Sequence, residues 1–403
     1  MPNRLAIPQQ SAKYKAFHIL ARLETMLRGR EAAAPEQLQN FRNFLFLQYD
    51  APLGSVIHAT PLFEALRRVL PDAHITVAAS SMVGSALEHN PHIDCCVVTP
   101  DPVTQNLEKN FLAAVSAVRK LSRTLPPGPV CIVTTTGNQR PILAVLALLA
   151  GNATRVGYTL ALPLHNLALD FRAERPQIEN NLEILRALGY ETSAPEPRMF
   201  FNQADAEYAT HLLAGIADES PRIAVVTQCS GIQPKQWSAE KFQHVLAELS
   251  SKRNATPIFF GTKVEAAAIE ALRKPLAVTG ISLAGKTTIP QLAAVLAQCD
   301  LVLSLDTGTF HVARAVGLPG VVLAPAWQNP AEWLPIDHPH YRVLCDFPMP
   351  MPTHTYRMDE ISAEQTLDAT MECMDAFPYS TAARYARLNQ SLSKTPSNPR
   401  NGV

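Results

Sequence analysis

The apolar positions of this chain fall in short runs that stop at small or polar residues and pass directly into three- to four-residue periodicity. The segment Leu301–Ala324 shows this most plainly. Leu301–Leu305 reads as a buried strand, Asp306-Thr307-Gly308 as a tight turn and Thr309–Val316 as a helix; Gly317 and Pro319 are its stop signals, and Val321–Ala324 is the next parallel strand. The same alternation begins at Phe44. Phe44–Tyr49, His74–Ala78, Cys95–Val98 and Val130–Thr134 read as strands, with Pro61–Val69 and Phe111–Leu125 as helices. Around Phe201–Glu219 the composition turns polar and the pattern restarts. Strands are predicted at Arg222–Val226 and Pro257–Phe260, and helices at Ala239–Ser250, Val264–Leu272 and Ile289–Ala297. The order predicts two α/β halves of similar size, each a doubly wound parallel sheet. Ligands of such sheets sit outside the carboxyl ends of the strands, so a cleft between the halves is expected.

The flanks read differently. Within residues 1–40, Tyr14, Phe17, Leu20, Leu23 and Leu27 recur at helical spacing with basic residues between them. Such an extension docks on the body or lies on an anionic lipid surface, and Glu24 and Glu31 dilute its basic face in favour of docking. The two halves take residues 41–200 and 201–346. A helical segment over 347–380, containing a Pro-Met-Pro-Met-Pro stretch and the periodic Ala363–Ala376, follows; the polar, basic residues 381–403 are expected to form a disordered tail.

Charge narrows the function. Lysine plus arginine and aspartate plus glutamate number 35 each in the 403 residues, so no basic excess points to nucleic acid. The seven cysteines lack any C-x-x-C pair, which argues against a disulfide framework and a zinc site and for a reducing compartment. Lys13, Lys15, Arg22, Glu24, Arg28 and Arg30 interrupt the first thirty residues, unlike a secretory signal, and the apolar run Ile142–Ala150 is too short to cross a bilayer. A soluble, cytoplasmic protein is expected, with peripheral membrane contact through residues 1–40 left open.

Three loops in the second half carry candidate chemistry. At Asp306-Thr307-Gly308, the start of a helix offers backbone N–H groups and the positive end of its dipole, with His311 in the first turn; this suits a phosphate. The plainer reading is that Asp306 and Thr307 cap the helix and His311 packs. After Ile223–Val226 come Ser230-Gly231 and Lys235, a backbone and a point charge fit for a diphosphate, although a lysine on a loop is more commonly solvated. Glu265, near the start of a helix after Gly261-Thr262, either balances the dipole or accepts hydrogen bonds from a ribose.

In order and spacing these segments resemble glycosyltransferase family 9, the ADP-heptose:lipopolysaccharide heptosyltransferases and their relatives, from Phe44 to Ala376. The resemblance takes in Leu53–Val77, Ala150–Tyr158, Asn180–Gly189, Ser230–Trp237 with its Lys-x-Trp, Gly261–Glu265, Leu283–Ala297 and Asp306–Pro319. It implies a GT-B enzyme, two Rossmann-like domains facing across a cleft, that inverts the anomeric centre without a metal or other cofactor. The implied partners are a nucleotide-sugar donor, ADP-heptose in the named enzymes, and a lipopolysaccharide core or other glycolipid acceptor. Carried across by position, Ser230, Gly231 and Lys235 hold the diphosphate, Glu265 the ribose, and Asp306, Thr307, Gly308 and His311 the rest of the donor. No Asp-x-Asp metal signature lies in the donor region.

One departure matters. After the first strand the family places Gly-Asp, whose aspartate is regarded as the base that deprotonates the acceptor; here the pair is Gly54-Ser55. A serine of ordinary pKa takes no proton at neutral pH, and a lost base removes roughly 10²–10⁴-fold in rate. Asp50 is a substitute base or a turn-stabilising aspartate before Pro52, and His58 is a weaker candidate. Otherwise the acceptor is activated differently, or the chain is a non-catalytic sugar-nucleotide-binding protein; an epimerase on the same fold is a further alternative. The complete set of donor loops favours an active enzyme.

Overall fold

A computed structural model describes residues 40–49, 51–102, 107–135, 141–151, 153–158, 164–229, 235–276, 280–348 and 356–393. The predicted helix in residues 1–39, and the site residues Asp50, Ser230 and Gly231, lie outside them. The chain divides between Pro197 and Arg198 into two compact units.

Unit 1 is built on six parallel strands: β1 (Asn43–Gln48), β2 (His74–Ala79), β3 (Cys95–Val98), β4 (Val130–Thr134), β5 (Thr154–Tyr158) and β6 (Leu167–Leu169). They are hydrogen-bonded in the order β3-β2-β1-β4-β5-β6. The connecting helices are α1 (Leu53–Val69), α2 (Ser81–Leu87), α3 (Leu107–Thr124) and α4 (Pro141–Ala150), with α5 (Gln177–Ala187) after β6. Every residue of the central strand β1 is buried, as its unbroken Phe-Leu-Phe-Leu run requires of a strand covered on both faces.

The helix predicted from Pro61 in fact starts at Leu53, with Pro61 in its interior. A proline there removes the N–H that would bond the carbonyl of Ile57, and the Thr60 hydroxyl donates to that carbonyl instead at 2.8 Å. Gly54 and Ser55, expected in a turn, are therefore part of the first helical turn.

Unit 2 repeats the plan. Its strands are β7 (Arg222–Val226), β8 (Thr256–Phe259), β9 (Ile281–Ser282), β10 (Leu301–Leu305), β11 (Gly320–Ala324) and β12 (Tyr341–Cys345), ordered β12-β11-β10-β7-β8-β9. The helices are α6 (Gln203–Leu213), α7 (Ala239–Arg253), α8 (Ala266–Arg273), α9 (Ile289–Ala297), α10 (Gly308–Ala315), α11 (Pro330–Trp333), α12 (Ala363–Ala376) and α13 (Thr381–Ser391). Counted from its own first strand, each sheet has the order 3-2-1-4-5-6 of the doubly wound fold, and the winding reverses between β1 and β4 and between β7 and β10. Local signals set several ends. α9 begins at a capping box in which the Thr288 hydroxyl and the Gln291 side chain each take the other's backbone N–H, and α12 begins at Ser362, which accepts from Gln365.

The tail expected to be disordered from residue 381 is instead the helix α13 as far as Ser391, and its anchor is electrostatic. The Arg384 guanidinium is only 4% exposed and grips Asp300, 6% exposed, through Nε to Oδ1 at 2.9 Å and Nη2 to Oδ2 at 2.5 Å. Two further Arg384 N–H groups donate to the carbonyls of Asp218 and Ser220, while Asp300 also accepts from the Arg222 backbone at the foot of β7. A hydrophilic sequence is thus ordered by a partner far upstream.

Breaking this pair leaves a buried carboxylate without its ion-pair partner. Arg384→Ala is expected to destabilise unit 2 by about 3–5 kcal/mol. All three tryptophans, Trp237, Trp327 and Trp333, belong to unit 2, so urea unfolding followed by tryptophan fluorescence reads that unit directly; an unchanged midpoint would contradict the anchoring role.

Candidate functional site

The switch point of the second sheet lies between β7 and β10, and the segments that follow those two strands bring three of the predicted residues together, Lys235, Asp306 and His311. Lys235, after β7, and Asp306, after β10, form a buried ion pair with Nζ 2.7 Å from Oδ2; the ammonium also donates to the Asp306 carbonyl at 3.2 Å. His311, one turn into α10, places Nε2 3.5 Å from the other oxygen, Oδ1. Burial alone would push the Asp306 carboxyl up, but the Lys235 ammonium beside it, with His311, holds it well below the usual carboxylate range. For His311 burial prevails over the attraction of Asp306 and pushes the ring's pKa down, so the imidazole is neutral at neutral pH. The centre therefore carries one positive and one negative charge, with a neutral ring.

Thr307 occupies the N-cap of α10, but its side chain makes no capping bond, and its buried hydroxyl oxygen has no partner among the described residues. The expectation that Asp306 or Thr307 caps this helix is thereby corrected: Asp306 is drawn into the ion pair. The first N–H groups of α10, starting with Gly308, are not capped by the Thr307 side chain and, among the described residues, form the kind of helix terminus that binds anions.

Glu265 is the N-cap residue of α8, at the end of the loop that follows β8. Its Oε2 accepts from the backbone N–H of Thr262 at 2.6 Å and from the Thr262 hydroxyl at 2.9 Å, so one carboxylate oxygen holds its own turn. Gly285 backs this turn at φ +70°; a Cβ there would come within 2.9 Å of Lys263, which excludes other side chains. Cys229 joins the loops electrostatically. Burial pushes its thiol up while the backbone N–H of Lys235 bonds it, and both Lys235 and Glu265 act on it. No sequence signal pointed to Trp327, whose ring centroid lies 5.5 Å from the Lys235 Nζ.

In unit 1 the corresponding switch point lies between β1 and β4. There Gln48 Nε2 donates to the Thr135 hydroxyl at 2.9 Å, and the buried Tyr49 shares a hydrogen bond with Thr99. Ser55 is buried in the first turn of α1, which contains no acidic residue. His58 is only 2% exposed, and its carbonyl accepts from Asn181; enclosed in this way, it does not fit the role of a base for an external hydroxyl. Among the described residues, no helix is long and apolar enough to cross a membrane.

Two doubly wound sheets, the second with a cation and a free helix terminus at its switch point, define the class as the GT-B glycosyltransferase fold. A glycosyl transferase family 9 protein from Veillonella parvula has the same fold, with a TM-score of 0.74 at 21% identity over 86% of this chain and 100% of that one. The E. coli ADP-heptose lps heptosyltransferase II gives a TM-score of 0.65 at 17% identity, over 86% and 98% respectively. The lipopolysaccharide core heptosyltransferase OpsX of Haemophilus influenzae is 29% identical over 153 residues, which span 38% of this chain and 42% of that relative. Residues 143–355, more than half of the chain, match glycosyltransferase family 9 (heptosyltransferase), and the chain belongs to that family.

The ionisation of the centre sets its response to acid. Asp306 is ionised in both the folded and unfolded chains above its ordinary value of 3.8, so its contribution is lost only below that pH. His311 acts in the same direction nearer neutrality: the unfolded ring takes a proton below 6.5 while the buried ring resists it. Unit 2 is therefore expected to lose stability as the pH falls from 6.5 towards 3.8. His311→Asn should flatten that slope by up to about 1.4 kcal/mol per pH unit. Urea midpoints across this range, read by tryptophan fluorescence, make the comparison.

Proposed function

We propose that the chain transfers a heptose from ADP-heptose to a hydroxyl of a lipopolysaccharide core, with inversion and without a metal. The observation that carries this reading is the buried Lys235–Asp306 pair beside the uncapped start of α10, at the switch point of unit 2. In the transfer, the acceptor oxygen bonds to the anomeric carbon as the bond from that carbon to the diphosphate oxygen breaks. Negative charge then collects on the departing nucleoside diphosphate. Lys235 and the N–H groups at Gly308 are suited to receive it, in a setting where preorganised donors stabilise charge strongly.

Lys235 has three N–H donors, of which Asp306 takes two. The third is left for a diphosphate oxygen. Ser230 and Gly231 would complete the diphosphate cradle, and Glu265 would offer the ribose the carboxylate oxygen that Thr262 does not engage. Thr307, Gly308 and His311 would face the remainder of the donor; the neutral ring of His311 suits hydrogen bonding to an uncharged sugar. Ser55 cannot supply the base, and Asp50 takes that role in this proposal, receiving the acceptor proton. Such an enzyme works on the cytoplasmic side of the membrane that carries its glycolipid, with residues 1–40 as a peripheral contact.

Calorimetric titration with ADP, UDP, GDP and CMP in EDTA tests the donor assignment. ADP is expected to bind preferentially, and Lys235→Ala to weaken it by about 10–100-fold, the range for a charged hydrogen bond. No binding by any of the four would defeat the donor reading. With ADP-heptose and a heptose-deficient lipopolysaccharide acceptor, Asp50→Ala is expected to lower turnover by roughly 10²–10⁴-fold; undiminished turnover would remove Asp50 from the mechanism.

A further inference from the structure

Lys235 lies between two groups that belong to different loops. Asp306 binds two of its N–H donors, while the ring of Trp327, 2% exposed, lies 5.5 Å from the ammonium. That separation is within the range of a cation–π attraction, which strengthens where water is excluded. Trp327 comes from the loop after β11, whereas Lys235 and Asp306 follow β7 and β10.

The segment from Tyr356 to Ile361 ties the tryptophan and lysine loops together. The Tyr356 hydroxyl accepts the backbone N–H of Ala326, next to Trp327, at 2.9 Å and donates to Asp346 Oδ2 at 2.6 Å. Two residues on, the Met358 N–H donates to the carbonyl of Gln236, next to Lys235, at 2.9 Å. Trp237 Nε1 then donates to the Ile361 carbonyl at 2.9 Å. One short stretch of backbone thus fixes both the ring and the cation, and Asp346, at the end of β12, fixes the stretch.

We propose that Trp327 is a positioning residue for donor binding. Its indole face, held by Tyr356 and Asp346, fixes the Lys235 ammonium so that the N–H not used by Asp306 is presented to the donor diphosphate. This rests on the reading of Lys235 as the diphosphate ligand. A π face is what the role requires: an aliphatic side chain would fill much of the volume without attracting the cation.

The test is ADP titration of the full chain and its variants, with thermal unfolding measured alongside. Trp327→Leu is expected to weaken ADP binding about tenfold, and Trp327→Phe, which keeps a smaller π face, about threefold. In a Lys235→Met background, Trp327→Leu should add no further loss, because the ring acts through the ammonium. Equal affinity of Trp327→Leu and the unsubstituted protein would overturn the role, as would losses that track thermal stability alone and add fully to Lys235→Met. Should Trp327→Leu not fold, Tyr356→Phe carries the test: it keeps the ring in the core but releases Ala326, and affinity unchanged from the unsubstituted protein would again overturn the proposal. Failure of the unsubstituted protein to bind ADP defeats the donor reading and this role together, whereas normal binding with an indifferent Trp327 defeats only the role of Trp327.

Discussion

In the interior of unit 2 a lysine ammonium and an aspartate carboxylate sit 2.7 Å apart, almost shut off from water. Removing both charges from solvent is unfavourable, and mutual attraction offsets the loss only when geometry and further hydrogen bonds are supplied by the surroundings. Here they come from several directions: the Asp306 carbonyl, the His311 ring and the Trp327 face all surround the pair. The requirement extends outward. The turn after β10 must bring both the carboxylate and the carbonyl of Asp306 to Lys235, and α10 must begin immediately afterwards. A neutral pair beside a bare helix terminus attracts an anion by directed N–H groups more than by net charge.

The two units show how far one topology can diverge in chemistry. Both place a switch point between the first and fourth strands of the sheet, and a helix starts close behind the first strand in unit 1 and close behind the fourth in unit 2. In unit 1 the described groups at that edge are amide and hydroxyl side chains, Gln48 with Thr135 and Tyr49 with Thr99. In unit 2 the same edge carries a buried cation and anion. The fold supplies two equivalent places; residue identity makes the second suited to phosphate.

Much of this was legible in the sequence because the decisive signals were local. Leu301–Leu305, which reads as an apolar run, and the helix Ile289–Ala297 match their predicted bounds to the residue, and the structure adds the capping box that starts the latter. Asp306 stands out because it follows the apolar run Leu301–Leu305 directly and opens a helix, and Lys235 because its Lys-x-Trp lies in the loop after Ile223–Val226. What failed depended on partners remote in sequence. The start of α1 was misplaced because Pro61 imitates a helix beginning, and only the Thr60 hydroxyl reveals how the interior tolerates it. β12 went unnoticed as a half-buried edge strand without a continuous apolar run. The sequence of α13 reads as disorder because the charge that orders it, Asp300, follows α9 rather than lying nearby in the chain. Trp327 was silent for the same reason: nothing in its neighbourhood along the chain points to Lys235.

The grip of Arg384 on Asp300 also bears on the order in which the protein is made. Synthesis runs from the amino end, and domains fold as units while it proceeds. Unit 1's described strands and helices have all emerged before the first strand of unit 2. Unit 2 has a different schedule: its central strand β10 begins beside a carboxylate whose counter-ion is delivered only with α13. Its sheet can assemble on the ribosome, but Asp300 stays hydrated or unpaired until the guanidinium arrives. The nascent chain thus passes through an interval in which the described strands and helices of unit 1 are all present and unit 2 is still open at the foot of its sheet.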